Sequence, residues 1–195
     1  MTGNSGSTAV HADPRLRERD LPGLMNRYQQ GDPVAVEELA RSISPVLLRF
    51  FAASDGSHSE AEDLLQECWM RIHRSRHTYR PSEPLLPWIF AIARHTRVDG
   101  YRRRRRRESK EVPISNLPEM PASPGRPAAI ESNELHLLLE GLPENQREVI
   151  LMLKVSGMSL EEVARATSST VGAIKQRAHR AYGELRLRFE KGRRS

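Results

Sequence analysis

The chain has 195 residues, a formal net charge of +6, 37% hydrophobic residues and 29% charged ones. That length admits one domain or two small ones, and with only 5% aromatic residues the packing falls to Leu, Ile, Val and Ala. A single cysteine, Cys68, excludes an intramolecular disulfide framework, no apolar run approaches the roughly 20 residues of a membrane-spanning helix, and the basic balance favours a polyanionic partner without implying sequence specificity.

Residues 1–18 read as a disordered Gly/Ser-rich tail without the apolar core of a signal peptide, which points to a cytoplasmic protein. From residue 19 to 107 the pattern is helical, with polar breaks near Gly31-Asp32-Pro33, Ser54–Ser59 and His77–Pro84. Sustained alternation and Asn-Gly or Asp-Gly hairpin signals are missing, so strands are not expected. Ser59-Glu-Ala-Glu62 has a capping-box pattern. The helix it opens sets Ala61, Leu64, Leu65, Cys68, Trp69 and Ile72 in one apolar stripe, leaving Asp63, Gln66, Glu67, Met70 and Arg71 outside it. A following helix, about Leu85 to Arg107, is expected to bury Leu85, Trp88, Ile89, Ile92 and Thr96. It then runs into Tyr101 and six consecutive arginines, Arg102 to Arg107.

Residues 108–130 carry Pro113, Pro118, Pro121, Pro124 and Pro127. Such spacing favours extended conformers and predicts a linker. A second helical block fills 131–195. Leu142-Pro143-Glu144 opens a helix with proline at its first turn, Val149, Ile150, Leu153 and Val155 make it apolar, and Gly157 is a natural stop. Ser159-Leu-Glu-Glu162 is a second capping box and starts a short helix ending near Ala166. Thr170 caps a last helix with Val171, Ile174, Ala178, Ala181 and Leu185 at helical spacing and Lys175, Gln176, Arg177, His179 and Arg180 on its other side. A scaffold helix, a tight turn and a basic second helix suit insertion into the major groove of DNA. The expected fold is therefore all-α, two small helical domains on a proline-rich tether with a C-terminal helix-turn-helix. Each domain has limited surface to bury alone, so the two are expected to move independently until a partner fixes them.

One chemical alternative comes from His73 and His77, one turn apart near Cys68 and Glu67, a spacing able to hold zinc. There is no His-Glu-x-x-His string and Cys68 belongs to the apolar stripe, so no metal, cofactor or catalytic residue is expected.

Three strings together resemble the extracytoplasmic-function class of the bacterial sigma-70 family. Ala61-Glu-Asp-Leu-Leu-Gln-Glu67 is similar to that family's signature for docking on the polymerase clamp. Pro87-Trp-Ile-Phe-Ala-Ile-Ala-Arg94, followed by Asp99 and Tyr101-Arg-Arg, is similar to its promoter −10 region. Leu142-Pro-Glu-Asn-Gln-Arg-Glu148 with Gly172-Ala-Ile-Lys-Gln-Arg-Ala-His-Arg180 is similar to its −35-binding helix-turn-helix. The chain departs from the pattern at His95, where asparagine is frequent, and at Ser169, where an apolar residue is common.

The resemblance implies a specificity subunit that performs no chemistry. Region 2 would span 19–107 and region 4 would span 131–195. Asp63, Gln66, Glu67 and Met70 would meet the clamp of core RNA polymerase, with the flap as a second contact. His77, Tyr79, Arg80, Trp88, Arg94, His95, Arg97, Arg102 and Arg103 would meet −10 DNA, the 77–84 loop holding an extruded base and the arginines tracking phosphates. Thr170, Lys175, Gln176, Arg177, His179 and Arg180 would meet the −35 groove, where Arg and Lys suit guanine and Gln suits adenine. Promoter DNA and an anti-sigma factor, soluble or membrane-tethered, complete the implied partners. The rival is a stand-alone helix-turn-helix regulator, which accounts for 142–187 but leaves the 63/66/67 face and the 94–107 helix without a role.

Overall fold

The structure, a computed structural model, describes residues 20–55, 58–108 and 135–192. The expected tail and nearly all of the expected linker lie outside these residues. Every regular element among the described residues is helical.

Helix α1, Leu21–Gln29, is capped by Asp20, whose carboxylate accepts from the Gly23 N–H at 2.9 Å. Gly31 takes φ +88°, a conformation open to glycine at little cost, and Asp32 accepts from the Val34 and Ala35 N–H groups to start α2, Pro33–Asp55. That helix supplies most of the first core: Leu39, Ile43, Leu47, Phe50 and Phe51 are fully buried. Phe50 meets Phe51 and Phe90 edge-on at 5.6 and 5.3 Å.

Helix α3, His58–Ser75, begins slightly before the Ser59 box, so Ser59 lies within its first turn. Its stripe packs as expected: Ala61, Leu64, Cys68 and Ile72 are buried, while Leu65 and Trp69 pack at the edge. Trp69 Nε1–H donates to Ser44 Oγ at 2.9 Å, tying α3 to α2. After a 3-10 turn at Arg76–Thr78 and a loop to Pro84, helix α4 runs Leu85–Glu108. It buries Leu85, Ile89, Phe90, Ala93 and Thr96, with Trp88 and Ile92 half-buried.

In the second block a helical turn over 135–139 buries Leu135 and Leu139. Helix α5, Glu144–Ile150, continues as a π-helical turn, Leu151–Val155, before Gly157 reverses the chain at φ +66°. Pro143 sits at the cap of α5 rather than inside its first turn. Helix α6, Leu160–Ala166, carries the full predicted box: the Glu162 N–H donates to Ser159 Oγ at 3.2 Å and the Ser159 N–H to Glu162 Oε2 at 2.7 Å. Thr170 Oγ1 accepts from the Ala173 N–H at 3.2 Å to begin α7, Val171–Gly192. Ile174, Ala178 and Ala181 seat that helix on α5 and α6.

In the structure the two blocks are packed together. Helices α2 and α4 lie directly against α5, the π-helical turn and α6. On α4, Ile89 and Ala93 are buried and Ile92 packs against the same core, one stripe of the helix.

Candidate nucleic-acid and partner interfaces

The outer face of α7 is set by its inner one. With Ile174, Ala178 and Ala181 buried, helical periodicity turns Lys175, Gln176, His179 and Arg180 to solvent, and all four are exposed. Arg177 is half-buried, its Nη1–H donating to Ser169 Oγ at 3.3 Å, which ties it to the turn. Thr170 is exposed at the helix start. The polar residue Ser169 therefore has a local role, anchoring an arginine. The exposed set offers donors and an amide along one helix edge, the equipment for reading a major groove.

The α3 face divides in two. Asp63, Gln66 and Met70 are exposed, as a docking surface requires. Glu67 is half-buried and engaged: it accepts from Arg71 at 3.1 and 2.5 Å and from both terminal nitrogens of Arg103 on α4. Arg71 also donates to Asp99 at 2.7 Å, making a chain Asp99–Arg71–Glu67–Arg103 across the α3–α4 crossing. The Arg103 guanidinium, then Arg71, holds the Glu67 carboxyl below its ordinary range, and Arg71 does the same for Asp99. Gly100 lies at this crossing, where a Cβ would stand 2.6 Å from Leu64 Cδ2. Periodicity gave no signal for this close approach, nor for Asp99 as a brace.

Around the 76–84 loop, His77 and Arg80 are exposed, whereas Tyr79 is buried. The Tyr79 hydroxyl donates to the Glu83 carbonyl at 2.6 Å, and its ring lies 5.6 Å from that of Trp88. Gln29 Nε2–H2 donates to the carbonyls of Arg76 and Tyr79 at 2.6 and 2.9 Å, fixing the loop to α1. Tyr79 thus props the loop from within and presents no surface to DNA.

Along α4, His95, Arg102 and Arg103 are exposed, but Arg94 is half-buried and Arg97 is buried. Both turn to the second block. Arg94 Nε lies 3.0 Å from Glu148, and Arg97 reaches Glu144 at 2.8 Å and Glu148 at 3.3 Å. Arg165 of α6 pairs with Glu83 at 3.0 Å. Glu144 and Glu148 lie some fifty residues beyond Arg94 and Arg97 in sequence, and nothing local marked them as partners.

Of the four residues of the zinc alternative, His77 is exposed and the other three are engaged or buried. Burial pushes the Cys68 thiol up to about 12, His73 Nδ1 is 2.7 Å from the Tyr28 hydroxyl, and Glu67 is held by two arginines. No helix among the described residues is long and apolar enough to cross a membrane.

Residues 36–107 match the family described as Sigma-70 region 2, and residues 132–185 match Sigma-70, region 4. The chain is 35% identical over 139 residues to the ECF RNA polymerase sigma factor EcfG of Rhodopseudomonas palustris, covering 71% of this chain and 76% of that protein. It is 33% identical over 170 residues to the RNA polymerase sigma factor CarQ of Myxococcus xanthus, covering 83% and 93%. Among solved structures, the sigma factor RpoE of Bartonella quintana, in complex with the anti-sigma factor NepR, superposes with a TM-score of 0.63 at 27% identity, covering 80% of this chain and 96% of that one. CnrH in complex with the cytosolic domain of CnrY shares the fold, with a TM-score of 0.69 at 20% identity over 89% and 99%.

Proposed function

The chain belongs to the extracytoplasmic-function sigma factors of the sigma-70 family, and from that premise we propose how its surfaces divide the work of starting transcription. It is an alternative sigma factor: it binds core RNA polymerase, directs it to promoters through −10 and −35 elements, and is controlled by an anti-sigma factor. In this role the chain performs no chemistry itself and acts in the cytoplasm, where polymerase and promoter are.

Docking on the polymerase clamp falls to Asp63, Gln66 and Met70, with Glu67 bracing the face from behind through Arg71 and Arg103. Lys175, Gln176, His179 and Arg180 read the −35 groove, while Arg177, tied to Ser169, serves the phosphate backbone. His77, Arg80, His95 and Arg102 form the exposed part of the −10 face, over a loop stiffened by Tyr79 and Gln29. A stiff loop matters because an extruded base must be captured by a pocket that already exists. The division of region 2 over 19–107 from region 4 over 131–195 belongs to the same proposal. One observation carries the reading: an exposed acidic and amide patch on α3 and an exposed basic face on α7 occur in one chain. A stand-alone regulator uses only the second.

The test is to add the purified chain to core RNA polymerase and transcribe a library of random upstream sequences. Transcripts enriched in two spaced upstream elements are expected, and they should vanish with Asp63→Arg combined with Gln66→Ala. Duplex binding without any transcript start would instead establish the stand-alone regulator.

A further inference from the structure

Between the first half of α3 and the last turns of α4 lies a groove of about 240 Å³. Helix α3 gives it Glu60, Asp63 and the buried Leu64. Helix α4 gives it Gly100, Tyr101, Arg103 and Arg104. Tyr101 is 48% exposed, and the guanidinium carbons of Arg104 and Arg105 lie 5.7 and 6.0 Å from its ring centroid. Glu60 is matched by Arg104 at 2.7 Å and Glu67 by Arg103, which leaves Asp63 as the exposed carboxylate of the groove. Tyr101 stands roughly 24 Å along the axis of α4 from Leu85, where the 76–84 loop enters, so the groove is separate from that loop.

We propose that this groove binds the guanine base of a nucleotide, with Asp63 reading its Watson–Crick edge, Tyr101 stacking on its plane and Arg105 taking its phosphate. A carboxylate accepts two parallel N–H donors, as it does from a guanidinium. Among the common bases guanine alone sets two such donors side by side, at N1 and N2. Adenine, cytosine and thymine each place an acceptor next to the donor. An aromatic ring stacks on any base, so Tyr101 supplies affinity and Asp63 supplies the choice. The volume suits one planar base and falls short of the roughly 300–1,000 Å³ of drug-sized ligands, which leaves sugar and phosphate at the mouth. Arg105 is exposed, so it can yield the Tyr101 ring to the base and turn to the phosphate. A partner's arginine side chain would offer Asp63 the same two donors. However, Arg103, Arg104 and Arg105 repel a bare cation and attract a base that carries phosphate.

The test is isothermal titration calorimetry of the full-length chain, without polymerase, against GTP, ITP and ATP. GTP should bind about tenfold more tightly than ATP, the discrimination expected of one good bidentate pair. ITP lacks the N2 amino group and should fall between them. Asp63→Asn should remove the preference. Tyr101→Leu should weaken GTP and ATP alike, by about tenfold, with circular dichroism unchanged because half of the ring lies outside the core. The comparison of the three nucleotides needs no variant and stands if one fails to fold.

A free nucleotide and a single strand of nucleic acid both carry this chemistry, and a second arm separates them. It uses a short labelled oligothymidylate with and without one internal guanine. GTP bound with the stated preference supports the proposal with a free nucleotide as ligand. No GTP binding, but a guanine-bearing strand held more tightly than the plain one until Asp63→Asn removes the difference, supports it with a strand as ligand. In that arm Arg105→Gln should lower the salt slope by about 0.7, one single-strand phosphate. GTP and ATP bound equally overturns the proposal, and so does the absence of binding in both arms. Binding that survives Asp63→Asn and Tyr101→Leu reduces the groove to phosphate attraction by the arginine run and overturns it too. Arginine amide bound in place of any nucleotide would give the groove to a partner's basic side chain, which also overturns it. None of these results requires polymerase, so a failure to programme polymerase refutes the sigma reading alone.

Discussion

Glu67→Gln separates bracing from docking. In the wild type the carboxylate joins Arg71 on its own helix and Arg103 on α4. The first is an i,i+4 pair, worth about 0.3–0.5 kcal/mol. The second ties two helices with a bidentate geometry, but its partners are 29% and 47% exposed, so solvent screening holds it to about 1 kcal/mol. The sum, about 1.5 kcal/mol, corresponds to a fall in Tm of about 3–6 °C for a chain of this size. Thermal unfolding followed by circular dichroism at low and high salt measures it, and a double-mutant cycle with Arg103→Gln should return most of the second contribution as coupling. Core polymerase affinity should change by less than about threefold, as expected for a brace behind the contact surface. Because Arg103 and Arg71 lower the folded-state pKa of Glu67, its contribution is complete above the unfolded value near pH 4 and is lost as pH falls through the folded one. Between about pH 5 and pH 3 the wild type should therefore lose more stability than Glu67→Gln. An unchanged Tm and no coupling, together with a loss of polymerase affinity of about tenfold or more, would refute the argument and return Glu67 to the docking surface.

Other expectations concern single sites. Cys68, buried with its thiol pushed up to about 12, should ignore thiol reagents at neutral pH in the folded chain and react at once in urea. Tyr79→Phe keeps the ring against Trp88 but loses the bond to the Glu83 carbonyl. It should cost about 1 kcal/mol, seen as a Tm lower by about 2–4 °C, whereas Arg80→Ala should weaken −10 DNA binding and leave Tm alone. On α7, Gln176→Ala should relax promoter choice at one position without altering the salt slope, while Arg177→Gln should weaken binding to all promoters alike and reduce that slope by about one. The reverse assignment would show up as the reverse pattern in the same binding titrations.

What the sequence disclosed was local. The Ser159 box and the Thr170 cap are settled by residues three apart, and the Ala61–Ile72 stripe by a period of 3.6, so each can be read from a short window. The surfaces of Lys175, Gln176, His179 and Arg180 followed from the same periodicity. What short windows did not disclose was long-range. Glu67 and Arg97 both lie off an apolar stripe, and a charged residue there reads as solvent-facing until the neighbouring helix is known. The α3–α4 crossing brings Arg103 to Glu67, and the second block brings Glu148 to Arg97. The burial of Tyr79 was hidden for a similar reason: its partners, Glu83 and Trp88, turn it inward. The π-helical turn at Leu151–Val155 has no sequence signal that we can name.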